Sequence, residues 1–226
     1  MLLKNGLPNG YKRLEFIRNA STAYIDVGIQ PKYTFDYELK ARAFTGNVVM
    51  GMTYKGDSKS FRFFCIPNPY YLDVGNKRIL LRNSHNAAKP YHVKFGNYYI
   101  KDLDENTEVK GDTFDEKMNG TVFSSNLYLL YGYGNLQGYI YLFKIWDNGK
   151  LIRDFVPCRH ISDNKVGMYD LVEGKFYISP NGVDFIGSDE PQTTNIEDEI
   201  IEESVEDTST DFVPEYSGQT ETNDNI

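Results

Sequence analysis

The chain has 226 residues, of which 40% are hydrophobic, 15% aromatic and 25% charged, and its formal net charge is -8. This balance fits one large globular domain or two small ones, and it excludes collagen, coiled coil and wholesale disorder. Eighteen Tyr and fourteen Phe against one Trp favour β-strands, because flat rings pack well across neighbouring strands.

Membrane-spanning and export segments are not expected. No run approaches the roughly 18 apolar residues that cross a bilayer, and residues 1–8 are too polar for a signal-peptide core. The two cysteines, Cys65 and Cys158, are too few for a disulfide framework or for a zinc site, which needs three or four ligands. We interpret them as small core residues, with a single bridge between them left open.

Strands are predicted from the first alternating run onward. Apolar and polar residues alternate between Ala23 and Ile29, and Pro31 ends this strand because proline has no N–H for the sheet ladder. From Phe35 to Phe44 apolar and charged residues alternate almost perfectly, which predicts a strand with one solvated face. Shorter strands are predicted next at Val48–Tyr54, Ser60–Ile66, Tyr70–Val74, Arg78–Arg82, Tyr91–Phe95 and Tyr98–Lys101.

Two later runs, Asn126–Tyr131 and Gly138–Trp146, are apolar on both faces. Such runs are typical of central strands covered on both sides, so Trp146 is predicted to be buried rather than to face a ligand. The segment Asp147–Lys150 predicts a tight hairpin, since its Asn-Gly pair supplies the positive φ values of the turn. The last strands are predicted at Leu151–Pro157, Val166–Val172, Lys175–Ile178 and Val183–Ile186, with a turn at Glu173-Gly174. About a dozen short strands suffice for an antiparallel β-sandwich.

Both ends of this body resemble one family. Residues 7–11 (LPNGY), 14–17 (LEFI) and 23–28 (AYIDVG) look like the start of laminin G-like, concanavalin A-like domains in bacteriophage and prophage proteins of gut bacteria. Their C-terminal signature is similar to residues 144–149 (KIWDNG), 151–158 (LIRDFVPC), 166–172 (VGMYDLV) and 174–177 (GKFY). The resemblance spans residues 7–187, with the middle matched only as strands and turns. It implies a jelly-roll β-sandwich in a virion or host-surface-facing protein, described as structural or lectin-like. Residues 18–22 replace the family's Ser-Thr-Gly run, which affects one loop.

Charge divides the chain near Gly187. Residues 1–187 contain all 24 Lys and Arg and 19 acidic residues, a net charge of +5, whereas residues 188–226 contain 13 acidic residues and no basic one. The second segment is also poor in large apolar residues, so it buries too little surface to offset the entropy of ordering. We interpret residues 1–187 as one domain and residues 188–226 as an acidic tail that is disordered on its own.

The tail contains one amphipathic stretch. Thr194 and Glu197 have capping-box spacing, and the apolar residues around them fall along one side of a short helix. Carboxylates four residues apart oppose that helix unless a basic partner neutralises them. A solvating tail is favoured, and the alternative is a segment that docks on a partner. Its docking residues would be Ile196, Ile200, Ile201 and Val205.

Catalytic patterns are mostly lacking. Jelly-roll glucanases use paired carboxylates on one strand face, and the nearest set, Asp102, Asp104 and Glu108, lies in a polar stretch that predicts a solvated loop. Cys158 and His160 would share one side of a strand, but no third orienting group is evident. No Gly-rich phosphate loop occurs in the sequence. We therefore predict no catalytic residues.

Calcium and nucleic acid are weaker hypotheses. Hard oxygen ligands could come from Asp26, Asp73, Asp147 and Asp170, but each also has a turn role. We predict no metal site and no cofactor, with calcium kept as a minority alternative. Nucleic-acid binding is not expected, because the +5 of the body is spread thinly and the tail would repel phosphate.

Tyrosines beside amides predict a carbohydrate site. Sugars stack on aromatic rings and hydrogen-bond to nearby polar groups. The candidate ligand-binding residues, at or near predicted turns, are Tyr70, Tyr71, Tyr131, Tyr133 and Asn135. The favoured alternative is that these tyrosines pack across strands with their hydroxyls at the rim.

Three functions follow, in order. The first is a non-catalytic structural protein of a bacteriophage particle, in a capsid, fibre or tail, whose acidic tail mediates assembly with other virion proteins. The second is a carbohydrate-binding adhesin module that recognises host surface glycans, and the distant third is a glycoside-active enzyme. The expected location is the virion, after synthesis in the host cytoplasm. Insertion into a membrane is not expected, and homo-oligomers are left open.

Deleting residues 188–226 should leave the thermal midpoint almost unchanged, because the tail lacks the apolar surface to stabilise the core. Calorimetry of the full chain and the deletion variant measures the effect. A large drop in the midpoint would contradict a boundary at Gly187.

Overall fold

The computed structural model describes residues 6–19, 22–32, 34–43, 48–51, 60–65, 70–75, 77–82, 89–96, 99–111, 126–130 and 138–189. These residues form seventeen strands and no helix, so the predicted all-β class is confirmed. All of them lie in the first of the two units, Met1–Pro191 and Gln192–Ile226, into which the chain divides. The predicted boundary at Gly187 stays a prediction.

The strands fall close to several of the alternating runs. Those predicted at Phe35–Phe44, Tyr91–Phe95, Gly138–Trp146 and Lys175–Ile178 are each present within one residue of their expected ends. In chain order the strands are β1 (Tyr11–Arg13), β2 (Ile17–Asn19), β3 (Ile25–Asp26), β4 (Phe35–Ala43), β5 (Val48–Gly51), β6 (Ser60–Cys65), β7 (Tyr70–Gly75), β8 (Lys77–Arg82), β9 (Tyr91–Phe95), β10 (Tyr99–Asp102), β11 (Thr107–Lys110), β12 (Tyr128–Leu129), β13 (Gly138–Asp147), β14 (Lys150–His160), β15 (Val166–Asp170), β16 (Lys175–Tyr177) and β17 (Ile186–Gly187).

The described strands form two sheets. The larger has the order β11-β10-β9-β4-β13-β14-β15-β16, with β1 paired to β14, and β2 paired to both β13 and β17. The smaller has the order β3-β12-β5-β6-β7-β8. Every strand pair in this part of the chain is antiparallel.

One hydrophobic cluster includes side chains of both sheets. Tyr37, Leu39 and Phe143 come from the larger sheet, and Leu72 and Ile79 come from the smaller one. Burying a large apolar side chain stabilises a fold by roughly 1.5–3 kcal/mol. The alternation in β4 therefore has the predicted effect, because one of its faces lies in the core while the charged face does not.

The hairpin predicted between β13 and β14 is confirmed. Asn148 has φ 48° and Gly149 has φ 78°, the two positive values that a tight hairpin turn needs. The backbone N–H of Asn148 also donates to the carbonyl of Thr34, which ties the turn to the start of β4.

Three local predictions were wrong. The stretch around Asp104 is a β10–β11 hairpin rather than a loop, because buried Asp102 accepts hydrogen bonds from two turn N–H groups. Strands β1 and β2 were missed, since three-residue strands show too few positions to reveal alternation. Residues 183–185 lie outside strands, and only Ile186–Gly187 pairs, with β2.

A second, smaller cluster lies on the opposite side of β14. Leu7, Val156 and Cys158 are buried there, against partly buried Tyr11, Tyr169, Leu171 and Phe176. Because side chains alternate along β14, Phe155 lies in the main core, whereas its neighbours Asp154 and Val156 lie on the other side of the strand. The N-terminal residues thus cover one part of the outer surface of the larger sheet.

Among the described glycines, Gly167 has the least room for a side chain. A Cβ built on it would lie 2.1 Å from the carbonyl oxygen of Tyr177, so Gly167→Ala should push β15 and β16 apart and lower the free energy of unfolding by about 2–3 kcal/mol. Urea unfolding measures the change. Gly182→Ala is the control, since Gly182 has φ +80° and open space around its Cβ, and should cost only about 1 kcal/mol of backbone strain. Equal losses in the two variants would contradict the packing argument.

Candidate functional site

Most of the predicted ligand and docking residues lie outside the described residues. Tyr70 and Tyr71 are in β7, paired with β6 and β8, and the description does not extend to their side chains. The remaining predicted residues lie outside the described part, and they are Tyr131, Tyr133, Asn135, Ile196, Ile200, Ile201 and Val205. Both the predicted carbohydrate site and the docking segment stay predictions.

Trp146 is not buried as predicted. It is partly exposed on the face of β13 that points away from the core, while Phe143 and Ile145 are buried. The run Gly138–Trp146 looks apolar on both sides because aromatic residues lie on its outer face. Cationic side chains, rather than a second apolar layer, lie over these aromatic rings. An aromatic ring on a sheet surface can contact solvent and a ligand.

Cations and rings alternate over this outer surface of β2, β4, β9 and β13. The ammonium group of Lys94 lies 5.0 Å from the Trp146 ring centroid, and that of Lys40 lies 5.9 Å from the Tyr141 ring. These distances are within the range of cation–π attraction. We call the surface the cation–aromatic face, and its residues are Phe16, Arg18, Lys40, Arg42, Lys94, Tyr139, Tyr141 and Trp146.

One end of the cation–aromatic face is packed around Tyr139. The guanidinium carbons of Arg42 and Arg18 lie 5.6 Å and 6.0 Å from its ring centroid. The Phe16 ring meets it edge to face at 4.7 Å. Burial is the main cause that raises the pKa of Tyr141, and Arg42 has an opposing effect. Two guanidinium groups and the Phe16 ring thus contact the one Tyr139 ring.

Carboxylates border the cation–aromatic face, and each has a partner. Glu38 lies 2.8 Å from His92 Nε2, and Asp36 accepts a hydrogen bond of 3.0 Å from the hydroxyl of Tyr99. Asp154 lies 3.5 Å from the ammonium group of Lys144. The face therefore combines rings, cations and hydrogen-bond acceptors.

Sequence reasoning missed this face because four separate segments form it. Lys40 and Arg42 are two residues apart on the solvated side of β4, as the alternation predicts. Tyr139 and Tyr141 have the same spacing, and this was the signal available. Their meeting depends on the order β9-β4-β13 and on a register shift between Ile140 and Leu142.

A polar cavity of about 670 Å³ lies at another edge of the body. Arg159, in its wall, donates to both carboxylate oxygens of Asp189, at 2.7 Å and 3.3 Å, and to the carbonyl and side chain of Asn164. Lys12 Nζ lies 2.6 Å from the same Asp189 carboxylate. We call the ion pairs of Arg159 and Lys12 with Asp189 the Asp189 clamp. The other lining residues are Ile161, Val166, Asp184 and Phe185.

The clamp lies close to the backbone of Gly187. A Cβ on Gly187 would lie 2.7 Å from Asp189 Oδ1 and 2.9 Å from Arg159 Nη2. Ser188 also bonds to the body, since its hydroxyl oxygen accepts from the backbone N–H of Glu15. Two residues that the sequence assigned to the tail thus contact the body, so deleting residues 188–226 removes these contacts and should lower the thermal midpoint, contrary to the expectation from sequence. A deletion meant to spare the body should begin at residue 190.

The aspartates considered for calcium have structural partners. Asp26 accepts from Gly28 N–H and Asn126 Nδ2, and Asp147 accepts from the hydroxyl of Thr34. The side chain of Asp73, in β7, lies outside the description. Among the described residues no group of three or more His, Cys, Asp or Glu side chains is placed to hold a metal ion.

Asp170 is a fully buried carboxylate. Its Oδ1 accepts from the backbone N–H groups of Asp154 and Val172, and its Oδ2 lies 3.3 Å from Arg153 Nε. Buried carboxylates need such partners, because leaving a charge unpaired away from water is costly. Asp170 therefore holds the turn after β15.

Cys158 and His160 lie on the same side of β14, as predicted, but in a packed environment. Burial raises the pKa of the Cys158 thiol to about 12, against a smaller opposing effect of Arg13, so the thiol stays protonated at neutral pH. His160 packs against the ring of Tyr11 at 4.9 Å and lies 2.7 Å from Asp163. Cys158 is a free cysteine, so the bridge to Cys65 left open above is not present.

Comparison with known proteins adds no relative. No protein-family model, no curated protein and no solved structure matches the chain. Within the described residues there is no helix long and apolar enough to cross a membrane.

The Asp189 clamp should make stability depend on pH. Hydrogen bonding from Arg159 is the main cause that lowers the pKa of Asp189 from 3.8 to about 2. A lowered pKa in the folded state stabilises the fold fully above about pH 4, and the contribution is lost as the pH falls toward 2. Asp189→Asn should lower the free energy of unfolding by about 1 kcal/mol at neutral pH, and the difference from the natural chain should vanish near pH 2.

Urea unfolding at about pH 7, 4 and 2 measures this difference. Asp104→Asn is the matched control, because Asp104 is an exposed carboxyl without an ion pair in the described structure. A loss in Asp189→Asn that does not change with pH would contradict an ionic role for the clamp.

Proposed function

We propose that the chain is a non-catalytic structural protein of a bacteriophage particle. It is built on a laminin G-like, concanavalin A-like β-sandwich with jelly-roll order, and its acidic C-terminal tail mediates assembly. Two sheets that contribute to one hydrophobic cluster support the sandwich. The segments that resemble the family support the relationship, since KIWDNG and LIRDFVPC lie in the β13–β14 hairpin, and VGMYDLV and GKFY lie in β15 and β16.

The observation that carries the non-catalytic role is that these carboxylates are held in hydrogen bonds and ion pairs. Asp102 and Asp170 are buried and accept backbone N–H bonds, and Asp189 is held by two cations. Glycoside chemistry needs one carboxyl to donate a proton and another to act as base or nucleophile across a cleft. Carboxylates committed to turns and ion pairs suit structural and binding roles better.

A carbohydrate-binding adhesin module is the second candidate, and the cation–aromatic face favours it. Tyr141 and Trp146 are partly exposed on a broad sheet surface, with hydrogen-bonding groups close by. Aromatic rings beside a few polar groups are the usual elements of small-ligand and sugar sites. The two candidates are compatible, because a particle protein that binds host glycans would be both.

The structural role is tested on particles purified from a culture that makes the protein. We expect the protein to co-sediment with particles in a density gradient, at a copy number comparable to other structural proteins by quantitative mass spectrometry. A variant that ends at Asp189 is the matched control, and it should incorporate less if the tail mediates assembly. Recovery of the full chain only in the soluble cell fraction, away from particles, would contradict a virion role.

A further inference from the structure

The ammonium groups of Lys40 and Lys94 are backed by rings rather than by carboxylates. In the described part of the chain neither has a carboxylate at ion-pair distance, while the neighbouring Glu38 is turned to His92. A cation held against an aromatic ring is attracted by the ring but keeps its full positive charge, because the ring is neutral. We infer that the cation–aromatic face binds an acidic polysaccharide. This inference rests on the carbohydrate-binding candidate above.

The spacing of the cations suits a chain-like anion. Lys40 and Arg42 lie two residues apart on β4, which separates their Cα atoms by about 7 Å. Lys40 pairs with His92, so Lys94 is its diagonal neighbour on β9, about 7–8 Å away. A polymer with charges repeated along its length can contact several of these cations at once.

The mixture of groups favours a sugar over other anions. Asp36, Glu38 and Asp154 stand among the cations and would repel any polyanion, and a DNA backbone has no hydroxyl donors to offset this repulsion. The same carboxylates can accept hydrogen bonds from sugar hydroxyls. The partly exposed rings of Tyr141 and Trp146 offer apolar contact to sugar rings. Among common biological polyanions, an acidic glycan supplies acid groups, hydroxyls and apolar ring faces together.

The probe is polygalacturonate, a polymer of one uronic acid, and its fully methyl-esterified form is the matched uncharged ligand. Binding to the full-length protein is measured by isothermal titration calorimetry at low and high salt. We expect binding to the acid form, weaker binding as salt screens the charges, and little binding to the ester. Lys40→Gln and Lys94→Gln should each weaken binding about tenfold, because each removes a charge-assisted contact.

Lys175→Gln is the control variant. Lys175 makes the same kind of contact, with its ammonium group 4.6 Å from the Tyr177 ring centroid, but it lies on β16, at the far end of the sheet. This variant should bind as the natural chain does. Trp146→Phe keeps a ring beneath Lys94 and tests the apolar contact between residue 146 and the sugar. Thermal unfolding checks that each variant folds.

Each alternative result has a separate meaning. Equal binding of the esterified polymer would overturn the preference for acidic glycans and leave the carbohydrate-binding candidate standing. Tighter binding of single-stranded DNA or polyglutamate, lost in Lys40→Gln and Lys94→Gln, would overturn the inference and assign the face to another polyanion. Binding that survives both substitutions would place the ligand elsewhere. No binding of either form of the polymer would overturn the inference and, if neutral host glycans also fail to bind, the adhesin candidate with it.

Discussion

The antiparallel pairing of β4 with β13 is the interaction on which the larger sheet depends. β4 also pairs with β9, and β13 also pairs with β14 and β2, so the other strands of this sheet attach to the pair directly or through one or two neighbours. Its register decides two things together. It directs Tyr37, Leu39 and Phe143 into the core, and it places the charged residues of β4 beside the outer aromatic residues of β13. A slip of one residue would exchange the two faces and expose the core side chains.

The outer surface of this pair differs from an ordinary solvated sheet face. Lysines on a sheet are usually surrounded by water and by carboxylates, and they then contribute little to stability or recognition. Here the cations lie over Tyr139, Tyr141 and Trp146, and contact with a ring favours one arrangement of a long cationic side chain. Ordering of this kind reduces the entropy lost on binding. The aromatic richness of the composition is therefore used for more than core packing.

Strand alternation and turn chemistry could be predicted from the sequence, and the meeting of distant strands could not. The solvated face of β4 and the turn at Asn148 follow from neighbouring residues alone. Burial of Trp146 was mispredicted, because an apolar residue on an outer face looks the same in sequence as one between two layers. The contact of Lys94 with Trp146 needs the strand order, and the contact of Arg159 with Asp189 needs the path of the last strand. Neither the strand order nor the path of the last strand can be read from neighbouring residues in the sequence.

The Asp189 clamp also has a mechanical meaning. Asp189 is the last described residue, and its carboxylate is joined to Arg159 on β14 and to Lys12 on β1. Strands β1 and β14 are paired to each other, so the two ion pairs connect the chain just after β17 to strands other than β2, the partner of β17. A pull on the chain at this point would have to break these ion pairs as well as the pairing of β17 with β2. A protein that is tethered through its C terminus would resist detachment at this junction better than the two-residue strand β17 alone would allow.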